Sequence, residues 1–136
     1  MTEPLPSRRL EELVLVYAAD HGVSSALLDS AKKLLHMKGC SLCILTHGMV
    51  GERQEWRSCR EELGVPVTPY HRNDMPSDVA STAAGRLPII LARSGEDLIP
   101  LLDSGDIERC RGSIENLRGR LLFHLSKLNL KPDSTC

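Results

Sequence analysis

The chain has 136 residues, 41 % of them apolar and only 3 % aromatic, and a formal net charge of −1. That length suits one domain, residues 1–136, whose core is built from Leu, Ile, Val and Ala without cross-links. Intermixed charges with no basic stripe exclude sequence-independent nucleic-acid binding. The proline- and charge-bearing first twelve residues are neither a signal peptide nor a membrane span, so the expected compartment is the cytoplasm.

Residues 1–10 and 131–136 read as frayed, flexible ends, the latter carrying Cys136. Residues 13–19, Leu-Val-Leu-Val-Tyr-Ala-Ala, form the continuous apolar run of a strand buried on both faces. Asp20, His21 and Gly22 end it, and Ser24 and Ser25 can cap a following helix with Leu27, Ala31, Leu34 and Leu35 on its apolar stripe. Gly39 closes that helix.

Residues 41–46 fit either a buried strand or the first turns of a helix opening at Cys40. Residues 52–63 read as a helix with Trp56, Cys59 and Leu63 on one face and an Arg57/Glu61 pair outside, stopped by Gly64. Residues 65–70 make a short strand broken by Pro66 and Pro69, an exposed edge able to pair across a homodimer. A polar loop at 71–76 leads to a short helix capped by Ser77. Residues 87–93 and 98–102 flank Ser94-Gly95-Glu96-Asp97 as a hairpin. Ile114, Leu117, Leu121, Leu125 and Leu128 then mark a final amphipathic helix over 113–128.

The chemistry concentrates at Cys40-Ser41-Leu42-Cys43, with His47 four residues further on. If a helix opens at Cys40, then Cys40, Cys43 and His47 fall at i, i+3 and i+7 on one face. That face suits a thiolate nucleophile at Cys40 resolved by Cys43. It equally suits zinc or another thiophilic metal held by Cys40, Cys43 and His47, with His71 or Cys59 as candidates for the fourth position. If 40–46 is a strand, Cys43 and His47 stand roughly 13 Å apart, too far to share one metal. His21, His47, His71 and Arg72 would then line the C-terminal ends of parallel strands, where small molecules or anions bind. Cys59, Cys110 and Trp56 read as core, and His36 and His124 as helix-surface residues.

The order of elements, and above all Gly85-Arg86-Leu87-Pro88-Ile89-Ile90-Leu91-Ala92-Arg93-Ser94-Gly95-Glu96, resembles the thioredoxin-like superfamily. The resemblance implies a three-layer α/β/α fold with a mixed sheet, a C-terminal β-hairpin and a C-terminal helix. It implies thiol–disulfide exchange on a protein thiol or disulfide without a cofactor, with Pro88 beside the cysteine pair and positioning the substrate chain. The family sets its cysteines directly after the first central strand, which here is Asp20-His21-Gly22-Val23, whereas Cys40 and Cys43 follow a further helical segment. Either that segment is an insertion or the likeness is one of fold alone. Three readings stay open: thiol–disulfide exchange, metal binding without turnover, and a non-catalytic small-molecule or protein interaction domain. No glycine-rich phosphate loop, G-x-S-x-G elbow or H-E-x-x-H helix is present.

Overall fold

The computed structural model describes residues 8–18, 41–48 and 51–132. In chain order these form β1 (Arg8–Leu10), β2 (Glu12–Tyr17), α1 (Ser41–Thr46), β3 (His47–Gly48), β4 (Gly51–Glu52) and α2 (Gln54–Leu63). There follow β5 (Val67–His71), α3 (Ser77–Ala83), β6 (Ile89–Ser94), β7 (Asp97–Leu102), α4 (Ser104–Arg109), α5 (Ile114–Lys127) and β8 (Leu130–Pro132).

The chain is mixed α/β, built on a four-stranded sheet in the order β5-β2-β6-β7. β5 runs parallel to β2, while β6 and β7 are antiparallel to their neighbours. Side chains alternate across a strand, so the apolar run of β2 feeds two cores. Leu13, Leu15 and Tyr17 join Ile90 and Ala92 against Leu42, Trp56, Ile107, Leu117 and Leu121 from the helices. Val14 and Val16 join Ile89 and Leu91 on the opposite face, under Val79 and Ala83 of α3. Burial on both faces is why this strand shows no polar alternation.

Residues 41–46 are helical, which settles that segment in favour of the helix. Leu42 and Leu45 are fully buried three residues apart, a helical spacing. The helix expected over 52–63 starts two residues later, because Glu52 belongs to β4 and Arg53 is the N-cap. Trp56, Cys59 and Leu63 form its buried face, and Gly64 ends it at φ 71°. Arg57, expected to pair with Glu61, bonds Glu52 at 3.2 Å. Ser77 is the first helical residue of α3 rather than its cap; Pro76 holds the cap position without a side-chain bond.

Five elements have no counterpart in the sequence reading, among them β3 and β4, which pair antiparallel. β1 and β8 pair in parallel and bury Leu10 and Leu130, placing 8–10 and 131–132 in strands where the sequence reading had ends. The sequence reading also passed over α4, which opens on a reciprocal capping box between Asp103 and Asp106. The expected helix after Ser24 and Ser25, the Asp20-His21-Gly22 turn and Cys136 lie outside the described residues.

β5 is an edge strand of the sheet, as its prolines foretell, but its edge is blunted. The Leu13 N–H donates to the Pro66 carbonyl at 2.9 Å, and Leu13 and Leu15 register with Val67 and Pro69. Parallel pairing therefore turns the N–H groups of Thr68 and Tyr70 toward β2, and those of residues 67, 69 and 71 outward. Pro69 has no N–H to present, and the His71 N–H is taken by the Asp74 carboxylate.

Candidate functional site

The C-terminal ends of the two parallel strands meet where Tyr17 registers with His71. Their rings stack with centroids 5.5 Å apart and planes 30° apart. Asp74, in the turn after β5, holds the His71 ring through Nδ1 at 3.1 Å, so the imidazole orientation is set by a carboxylate three residues on. Tyr17 Oη lies 2.9 Å from Thr46 Oγ1. The single hydroxyl proton of Thr46 goes to the Leu42 carbonyl at 3.1 Å, which makes Tyr17 the donor. The last turn of α1 is thus tied to the end of β2.

Arg53 reinforces that junction. Its guanidinium donates to the Leu45 carbonyl at 3.3 Å and to the Gly112 carbonyl at 2.9 Å, and its N–H donates to the Thr46 carbonyl at 2.8 Å. The Leu45 and Thr46 bonds satisfy carbonyls that α1 leaves open at its C-terminal end, and the Gly112 bond ties that end to the turn before α5. Pro88 belongs to the same end of the sheet. It is buried and joined to Leu87 by a cis peptide bond, and it immediately precedes Ile89, which registers with Val16. Pro88 therefore stands at the level of Tyr17.

Beside this junction a groove of about 380 Å³ runs between Tyr17, Pro69 and His71 of the strands and Glu52, Trp56 and Arg60. Arg60 grips Glu52 through two bonds, at 2.7 and 2.9 Å, and Arg57 adds a third at 3.2 Å. The Arg60 bonds in first place, offset by burial and helped by Arg57, hold the Glu52 carboxyl down at about 2. The groove thus combines an aromatic wall, an imidazole and a closed ion pair.

The expected site residues divide. His71 lines the groove and Pro88 shares its sheet end, while Arg72 is exposed in the turn beyond and is not part of the groove lining. Cys43 is half-buried on α1 against the larger core. Cys40 and His21 lie outside the described residues. α1 ends at Thr46 and the backbone of His47 enters β3, in register with Glu52, while Cys40 lies outside the described residues.

Cys59 is buried on α2 beside Ile114 and Arg118, in a depression separate from the groove. Burial pushes the Cys59 and Cys110 thiols up, so both behave as core groups. Among the described residues no three His, Cys, Asp or Glu side chains cluster as metal ligands, and no helix is long and apolar enough to cross a membrane. Ser41, between the two cysteines of the motif, has a buried hydroxyl without a hydrogen-bond partner.

Tyr17, Glu52 and Arg60 were not legible as site residues. A tyrosine closing an otherwise aliphatic strand is the one available signal, since its hydroxyl needs a partner when buried. The chain matches no protein-family model, no curated protein and no solved structure.

Proposed function

We propose that this protein is a thioredoxin-like, three-layer α/β/α domain of the cytoplasm that carries out thiol–disulfide exchange at Cys40 and Cys43. The observation carrying this reading is the tie between Thr46 and Tyr17. It fixes the helix that continues the cysteine motif to the C-terminal end of β2, the level at which Pro88 also stands. The sheet order, with one parallel and two antiparallel pairings, supports the same fold reading.

In the reaction, the Cys40 thiolate attacks one sulfur of a protein disulfide and releases the other as a thiolate. Cys43, once deprotonated, attacks the Cys40 sulfur of the mixed disulfide and expels the second substrate thiolate. The substrate gains two electrons, and the protein is left with a Cys40–Cys43 disulfide that an external dithiol reduces. Pro88 positions the substrate chain beside the pair.

Isotope-resolved mass spectrometry of unreduced protein tests this. The expected product is two hydrogen atoms lighter, with the bridge mapped to Cys40 and Cys43, and Cys40→Ser abolishes reduction of a model protein disulfide. Unchanged disulfide reduction by Cys40→Ser, or an oxidised form bridged elsewhere, overturns the reading.

The groove beside Tyr17 and His71 favours a second reading, a non-catalytic domain that binds a small molecule there. Under that reading, replacing both Cys40 and Cys43 by Ala leaves ligand binding intact, whereas His71→Ala removes it.

A further inference from the structure

We propose that His71 is a positioning residue for the cysteine motif, acting on α1 through the ring and hydroxyl of Tyr17. The inference rests on the reading of Cys40 and Cys43 as the working pair, and the coupling itself is read at Cys43.

α1 has six residues, too few to hold a helix by its own backbone bonds. Its place is set by what it touches. Leu42 and Leu45 are buried in the larger core, and Thr46 in the last turn bonds Tyr17. Cys43 lies three residues before Thr46 on this short helix, half-buried against the same core. A shift of the Tyr17 hydroxyl therefore shifts the helix that carries the second cysteine of the motif.

The hydroxyl is only as fixed as its ring. Tyr17 is 4 % exposed, and its ring stacks on that of His71. His71 is held in turn at two points by Asp74, whose carboxylate takes the backbone N–H and engages Nδ1. The imidazole is thus a fixed surface against which the tyrosine ring rests. Contacts run without a gap from the turn after β5 through His71, Tyr17 and Thr46 to α1, a contiguous packed route able to carry coupling. Arg53 holds the same end of α1 by a second route, through the Leu45 and Thr46 carbonyls.

The first route is open to the outside. Tyr17 and His71 both line the groove beside the junction, and the His71 side chain is 26 % exposed. Whatever enters the groove meets the two rings through which α1 is set.

Alkylation of the full chain by iodoacetamide, mapped cysteine by cysteine, tests the proposal, because Cys43, Cys59 and Cys110 report separately. His71→Ala is expected to quicken modification of Cys43 about threefold, the loss of one aromatic stack, while Cys59 and Cys110 keep their rates. In a Tyr17→Phe background the hydroxyl that carries the effect is gone, so His71→Ala should add nothing. His71→Phe, which keeps a ring against Tyr17, should stay near the wild-type rate. Equal acceleration of all three cysteines would make His71 a general stabiliser and overturn the proposal. An unchanged Cys43 rate in His71→Ala overturns it too, as does full additivity with Tyr17→Phe. Disulfide reduction is measured on the same wild-type protein. A chain that shows the coupling but reduces no disulfide loses the thiol reading alone, and one that reduces disulfides without the coupling loses this inference alone.

Discussion

The Tyr17 hydroxyl donates to Thr46 across 29 positions of sequence, and it is the bond that joins α1 to the end of the central strand. Tyr17→Phe keeps the ring and its stacking on His71 but removes the donor. Thr46 retains its bond to the Leu42 carbonyl, so the loss is that of one buried hydrogen bond, about 1 kcal/mol. Amide protection at residues 43–46 is expected to fall about fivefold in native-state hydrogen exchange. Alkylation of Cys43 should quicken in parallel. Unchanged protection there would mean that Arg53 alone holds the helix.

Glu52 makes stability depend on acid. Its carboxyl titrates at about 2 in the fold, against an ordinary value of 4.5, chiefly because Arg60 hydrogen-bonds it. A carboxylate depressed by folding stabilises the native state above its unfolded value and loses that contribution as pH falls toward the folded one. The window therefore runs from about pH 5 down to 2. Water screens the more exposed Arg57, so the contribution is about 1–2 kcal/mol, less than the full shift implies. In urea melts, Glu52→Gln should lower the midpoint at neutral pH and flatten its decline across that window. A variant whose midpoint declines as steeply as the wild type would assign the acid sensitivity to other carboxylates.

The three described cysteines should separate by reactivity. Cys59 and Cys110 are buried and their thiols are pushed up by that burial, while Cys43 is half-buried. At pH 8 iodoacetamide is expected to modify Cys43 first, and Cys59 and Cys110 only on the timescale of unfolding. Modification of Cys59 at the rate of Cys43 would contradict the packing of α2 against α5.

Ser41 gives a prediction of unusual sign. Its hydroxyl is buried without a partner, so Ser41→Ala removes an unsatisfied group and adds helix propensity in α1. The protein should become more stable by about 1 kcal/mol, measured by urea unfolding. If thiol exchange slows in the same variant while stability rises, the hydroxyl serves the cysteine chemistry. Destabilisation would show that it has a partner in solution.

What the sequence made legible follows from periodicity. The two-sided burial of β2, the hairpin around Gly95 and the stripe of α5 each repeat over enough residues to identify themselves. The six residues of α1 do not, because Leu42, Cys43, Ile44 and Leu45 are apolar in succession and suit either period. The α4 cap was missed because its acid partner is Asp106, where the usual signal is Glu or Gln. The groove was illegible for another reason. Glu52 and Arg60 are eight residues apart across a strand–helix boundary, and Tyr17 and His71 meet only through strand pairing. No local spacing encodes either contact.

The blunted β5 edge carries the last prediction. Pro69 presents no outward N–H, and Asp74 occupies that of His71. Because the Pro69 nitrogen faces away from β2, Pro69→Val costs no ladder bond and restores an outward donor. Asp74→Ala releases a second donor two residues along. The double variant should remain folded by circular dichroism yet self-associate into β-rich aggregates that bind thioflavin, at concentrations where the wild type does not. Each single variant should fall between the two. A double variant as soluble as the wild type would mean that the strand is too short and twisted to template another, and that Pro69 has no protective role.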